Sequence, residues 1–342
     1  MNQIYRLLLI IGFMTGLIIT TGCTSNAANE PGTDQDADTS ILAIPDLTAV
    51  TQSGAKLQVV ATTSIIGDVV ANVGGDAIEL TVLMAPGQDP HSYQPGAAEL
   101  TAVARANVIF VNGWNLEEGL LDDLEAIGEN TPIIPISANI TPLTLNADEE
   151  GDHDDEADHD HTGADPHVWF SIQNVEQWTK NVSDVLSTLD PDNATIYANN
   201  AAQYLTALAE LEQYTNSQLA AIPAEQRVLV TNHDALGYFA HDYDFTVLGT
   251  VIPGRSTLAE PAAADLTALI SVMQAKNVCT IFTESSVSDT LANTVATELD
   301  TCATVQVLPL YTGALGSAGS GADTYIDMFR SNVDTIVTGL VR

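Results

Sequence analysis

Short apolar, β-branched runs recur along the chain, separated by stretches whose apolar positions carry a helical spacing. The first run covers residues 57–62 and is followed by a helical pattern over 65–73. Runs at 78–84, 108–111 and 133–136 continue the series, with room for helices at 97–106 and 116–128 between them. A second series begins at 227–231, passes through 245–252, 278–283 and 305–310, and closes on a helical stretch at 324–340. Strands alternating with helices predict parallel sheets covered on both faces. The recurrence predicts an α/β protein of two similar lobes, each a parallel sheet flanked by helices, at 55–188 and 223–342. Between them, Asp190-Pro191 supplies a helix start and Pro223 a stop, with Ala, Leu, Gln and Glu in between. About 32 residues at 1.5 Å each predict a linker helix over 189–222, roughly 48 Å long, joining the lobes.

The N-terminus has a different pattern. An apolar run at 7–19 follows Arg6 and ends at Thr20-Thr21-Gly22-Cys23, too short for a comfortable membrane span and consistent with a signal peptide over 1–22. A small residue ahead of Cys23 is what lipoprotein processing requires, although Thr20 stands where leucine is commoner. A lipidated Cys23 would begin a tether over 23–54, poor in large apolar residues, holding an exported protein at the outer face of a membrane. Cys279 and Cys302 remain, and in an exported chain such a pair predicts a disulfide that contributes roughly 3 kcal/mol.

Composition excludes one class of partner. Nine basic and 45 acidic side chains give a formal charge of -36, which repels nucleic acid. The acidic surface serves solubility or concentrates cations; composition favours neither.

The seven histidines are unevenly placed. His153, His159 and His161 lie in 148–161 among nine carboxylates with no large apolar residue, predicting a loop that is either a solvated acidic insertion or a weak collector of metal ions. His91, in Asp89-Pro90-His91, His167, in Asp165-Pro166-His167, and His233, in Asn232-His233-Asp234, each follow a strand or a proline that fixes the backbone. Strand ends of parallel sheets converge on a ligand crevice, so three histidines drawn from both lobes point to a shared metal. His241 fits a surface or packing role.

These motifs, with Trp169, Tyr238-Phe239, Glu284-Ser285-Ser286-Val287 and Ala322-Asp323-Thr324-Tyr325, make residues from about 57 onward resemble the zinc/manganese solute-binding family of ABC importers, the ZnuA/TroA-like proteins. The resemblance implies two α/β lobes on a single long helix with metal in the cleft, and His91, His167 and His233 as ligands. It implies an extracytoplasmic receptor, expected to be monomeric and lipid-anchored, that delivers its metal to an ABC permease and ATPase. Where many relatives place an aspartate ligand this chain has Gly313, so a fourth ligand would be water, Glu284 or a residue of the acidic loop. Three imidazoles suit tetrahedral Zn(II), whereas Mn(II) prefers carboxylates and higher coordination. Asp234 is a candidate to hold an imidazole, by proximity alone. Alternatives are a manganese-binding homologue, and an adhesin or extracellular zinc chaperone of the same fold. A secreted zinc hydrolase is disfavoured by the absence of HExxH, so no enzyme activity is expected.

Overall fold

A computed structural model describes residues 40–51, 54–128, 131–144 and 163–341. Two four-stranded parallel sheets carry the fold. The first contains β1 (Leu57–Ala61), β2 (Ile78–Val82), β3 (Val108–Val111) and β4 (Ile133–Pro135) in the order β2-β1-β3-β4. The second contains β5 (Val228–Thr231), β6 (Thr246–Thr250), β7 (Thr280–Glu284) and β8 (Gln306–Leu310) in the order β6-β5-β7-β8. The two orders are the same, so the repeat seen in the sequence is a repeat of topology.

Each strand divides its side chains between two cores, as a pleat of period two requires. Val59, Ala61, Val108 and Phe110 enter one large core, whereas Val60, Ile109 and Val111 join a smaller cluster beneath α2 (Ala97–Val103) and α3 (Leu121–Ile127). In the second sheet Leu229 and Phe282 face the large core, and Val230 and Ile281 face α7 (Ala263–Lys276) and α8 (Thr290–Glu298).

The large core is common to both sheets. It runs through α1 (Ser64–Gly74), α4 (Ile172–Leu189), α5 (Ala194–Leu219), α6 (Gly237–Asp242) and α9 (Tyr325–Leu340), with Trp178, Leu208, Leu211, Phe239 and Phe329 fully buried. The long helix α5 packs on α1 and α4 from the first half of the chain and on α9 from the second. It has 26 residues, about 39 Å, and is shorter than the sequence predicts. Pro191–Asn193 form a 3-10 turn instead of the first α turn, and the amides of Ala221 and Ile222 bond three residues back, tightening the end. Asp190 does mark the start, since its Oδ2 accepts from Asn193 Nδ2 and the Tyr197 hydroxyl, both at 2.8 Å.

Part of the segment assigned to a tether lies on the first lobe. Ile44, Leu47 and Val50 pack against the large core, Val50 N–H donates to the Leu189 carbonyl at 2.8 Å, and Asn139 N–H donates to the Leu42 carbonyl at 2.9 Å. Three apolar residues three apart are diluted in the composition of the whole 23–54 stretch, which hides their packing. The predicted signal peptide and Cys23 lie outside the described residues, as do His153, His159 and His161. Among the described residues no helix is long and apolar enough to cross a membrane.

Candidate metal centre

Two of the three cleft histidines sit on the same local device. In Asp89-Pro90-His91 the proline has no N–H, and Asp89 Oδ1 accepts the amide of His91 at 3.1 Å. In Asp165-Pro166-His167 the Asp165 Oδ1 accepts the amide of His167 at 3.0 Å. Each aspartate thereby turns the chain so that its histidine leaves the turn in a fixed direction. His233 follows the carboxyl end of β5, and Glu284 is the last residue of the neighbouring β7. Strand order reverses between β5 and β7, the position where open parallel sheets bind ligands.

The three imidazoles meet through their Nε2 atoms. His91 Nε2 and His233 Nε2 lie 3.3 and 3.1 Å from His167 Nε2, and the donor atoms of all three residues fall within 4.8 Å of one another. Every Nδ1 points the other way, onto a carboxylate: His91 to Glu118 at 3.2 Å, His167 to Asp165 at 2.9 Å, and His233 to Glu284. A carboxylate behind each ring fixes the tautomer with hydrogen on Nδ1, which frees Nε2 for an ion and makes it a better donor. The rings are 4%, 1% and 2% exposed for His91, His167 and His233, so water has little access to the gap between them.

Burial and charge act differently on His167 and His233. Burial pushes His167 well below the usual imidazole range, with His233 and His91 adding to it, which leaves His167 neutral and ready to bind a cation. Burial also opposes protonation of His233, but the Glu284 carboxylate outweighs it and the net shift is upward. The same contact works on Glu284: burial favours its neutral form, the imidazole of His233 wins, and the carboxyl is drawn down to about 2. Burial raises Asp165 to about 6, against the pull of Arg255.

Supports from elsewhere complete the frame. Gly113, Trp114 and Asn115 all take positive φ (102°, 46° and 55°), a tight reversal after β3 that brings Glu117 and Glu118 back toward the sheet. Glu118 then reaches His91, while the fully buried Glu117 accepts from Thr62 Oγ1 at 2.6 Å and from the Asn112 amide at 2.8 Å. Thr312 donates to Glu284 Oε2 at 2.5 Å, and its carbonyl accepts Trp169 Nε1–H at 2.8 Å.

Comparison with known proteins places this arrangement. A family model described as zinc-uptake complex component A, periplasmic (ZnuA), matches residues 59–339. The chain belongs to the ZnuA family. It is 34% identical over 296 residues to the manganese-binding lipoprotein MntA of Halalkalibacterium halodurans, covering 86% of this chain and 91% of that one. It is 31% identical over 289 residues to the zinc-binding protein TroA of Treponema pallidum, covering 84% and 90%. The solved structure of the Treponema pallidum TroA superposes with a TM-score of 0.72 at 30% identity, covering 84% of this chain and all of that one. The ZnuA family is one of solute-binding receptors of ABC importers, not of enzymes.

Within this ZnuA-family chain the remaining candidate residues fall in instructive places. Glu284, a tentative ligand from sequence, has one oxygen on His233 Nδ1 and the other on Thr312, and it is not in the group of mutually close donors. Gly313 packs directly on the first lobe, where a Cβ would come within 2.8 Å of Pro90 Cδ. Asp234 holds no imidazole; it faces the Arg255 guanidinium at 3.8 Å. His241 is exposed and pairs with its neighbour Asp242 at 2.8 Å. Cys279 and Cys302 are bonded, with Cα atoms 5.8 Å apart. Glu118, Thr312 and the reversal at 113–115 were not legible beforehand: their partners lie far along the chain, and only the left-handed backbone after β3 left a trace, as Gly113-Trp114-Asn115.

Proposed function

We propose that this chain is the extracytoplasmic receptor of an ABC importer, lipid-anchored through Cys23, that captures Zn(II) between His91, His167 and His233 and delivers it to a permease and its ATPase. The observation that carries the reading is the donor set. Among the described residues three Nε2 atoms converge with no carboxylate oxygen among them, and all three Nδ1 atoms have carboxylate partners. Neutral imidazoles in a set of three suit tetrahedral zinc with one position left for water, whereas manganese prefers oxygen donors and six-coordination. Glu118, Asp165 and Glu284, each one ring away, supply negative charge that offsets the ion without occupying it.

Manganese is the competing reading, because several relatives, MntA among them, carry that metal in their names. Calorimetric titration of the protein with each metal, repeated on a His91→Ala, His167→Ala, His233→Ala variant, separates the two. The expected outcome is tight, one-to-one zinc binding that the variant loses, with manganese weaker by orders of magnitude. Manganese bound as tightly as zinc would overturn the metal assignment, and tight zinc binding retained by the variant would overturn the site. His153, His159 and His161 fit a weaker auxiliary collector, so deleting 148–161 should leave the cleft affinity intact and slow loading from dilute zinc.

A further inference from the structure

The segment after β6 leaves the second lobe and crosses to the first. Two side chains on it reach first-lobe segments that carry the histidines. Arg255 donates from Nη1 to the carbonyl of Gly163 at 2.8 Å, two residues ahead of Asp165. Thr257 donates to Asp89 Oδ2 at 2.6 Å, on the aspartate that turns the chain into His91. The base of the segment is fastened to the turn that carries His233: Asp234 N–H donates to the Gly254 carbonyl at 2.9 Å, and Ile252 N–H to the Asn232 carbonyl at 2.6 Å. Arg255 also faces the Asp234 carboxylate at 3.8 Å. One short stretch therefore touches the supports of all three histidines and joins the lobes at the cleft.

We propose that residues 254–257 are a strap that sets how fast the cleft opens, with Arg255 and Thr257 as its fastenings. Both are positioning residues, without a place among the converging donors. The inference rests on the reading of the cleft as a metal site. Because the three rings are buried, an ion enters and leaves through a state in which the lobes part and the strap has let go of Gly163 and Asp89. In this proposal the fastenings, which lie outside the group of converging donors, hold the opened state down equally in the ion-free and ion-loaded forms. Removing them raises the association and dissociation rate constants by the same factor and leaves their ratio alone. A residue that shaped the coordination geometry would instead raise dissociation only, and affinity would fall with it.

The test is stopped-flow loading with zinc and release to a chelator, followed by the fluorescence of Trp169, whose ring centroid is 5.4 Å from that of His167. Arg255→Met and Thr257→Val remove the fastenings while keeping side-chain bulk. In the double variant both rate constants should rise roughly tenfold, the value for about two lost hydrogen bonds, with Kd within about twofold of the parent. Arg255→Lys, which keeps a donor and a charge, should bring the rates back toward the parent. Unchanged rate constants overturn the proposal, and so does dissociation that rises alone with a matching loss of affinity. Hydrogen exchange at the His91 and His167 amides of the metal-free chain reads the strap without any ion: faster exchange in the double variant supports it and equal protection overturns it. A chain that bound neither zinc nor manganese would sink the proposed function and leave that exchange measurement to decide the strap.

Discussion

At the residue scale the proposed site sets protons against metal at His233. Burial lowers its pKa, but the attraction of Glu284 is larger and the net shift is upward, so below that raised value an ion must displace a proton there. Zinc affinity should therefore rise by up to about tenfold per pH unit below that raised pKa and level off above it. Glu284→Gln removes the charge that raises His233, so the sloping limb should move to lower pH and the plateau should fall; competition titrations against a chelator from acid to mild alkali would show both. The pair also bears on folding of the metal-free chain. The raised His233 stabilises below 6.5 and loses that contribution as pH climbs through its folded value, while Glu284, lowered from 4.5 to about 2, stabilises above 4.5 and loses its contribution as pH falls. Glu284→Gln should thus cost the metal-free chain most stability between those two values, seen as a Tm difference that narrows on either side. The histidines themselves were legible in the sequence because proline and aspartate impose their geometry within three residues. Glu118 was not, because its approach to His91 depends on a reversal 113–115 and on the packing of two loops that only the fold brings together.

At the element scale the strands were legible to within a residue or two, since buried parallel strands read as unbroken apolar runs. Helix α4 was not among the helices read from sequence, although Ile172, Val175, Trp178, Val182, Val185, Leu186 and Leu189 follow its period and are buried. Its exposed positions are Gln173, Lys180, Asp184 and Thr188, which lower the mean hydropathy of the stretch, and the strong Asp190-Pro191 signal directs attention to the helix after it. The second sheet is clamped at the opposite end from His233: Cys279 precedes β7 and Cys302 precedes β8, while Glu284 ends β7 and Thr312 follows β8. Replacing both cysteines with serine should cost roughly 3 kcal/mol in urea unfolding and leave zinc affinity unchanged within error. Loss of zinc binding in that variant would mean that the strand register, and with it Glu284, depends on the bond.

At the scale of the whole molecule, the two sheets are alike in order and share one large core, beside the smaller cluster that each keeps on its other face. One core runs from Leu57 and Ile66 through Trp178, Leu208 and Leu211 to Phe329 and Ile336, and α5 contributes to it along most of its length. Parting the lobes widely would expose that core, so motion at the cleft is confined to small adjustments about α5, and the molecule should unfold in one transition. Leu208, fully buried in this shared region, tests the point: Leu208→Ala should lower stability by about 2–5 kcal/mol and keep a single transition, whereas lobes with independent interiors would separate into two. Ion binding acts on the same cooperative unit. Zinc held a thousandfold above its Kd should stabilise the folded chain by about 4 kcal/mol and raise Tm accordingly. The formal charge of -36 would attract any divalent cation to the surface, but that attraction is screened by salt, whereas ligation inside a buried cleft is not. Scanning calorimetry with zinc, manganese and magnesium, at low salt and again at about 0.5 M, where the screening length is a few ångströms, therefore separates the two effects. A zinc-induced rise that survives salt while the magnesium rise disappears locates the stabilising ion between the histidines; a zinc rise that collapses with salt would assign it to the acidic surface.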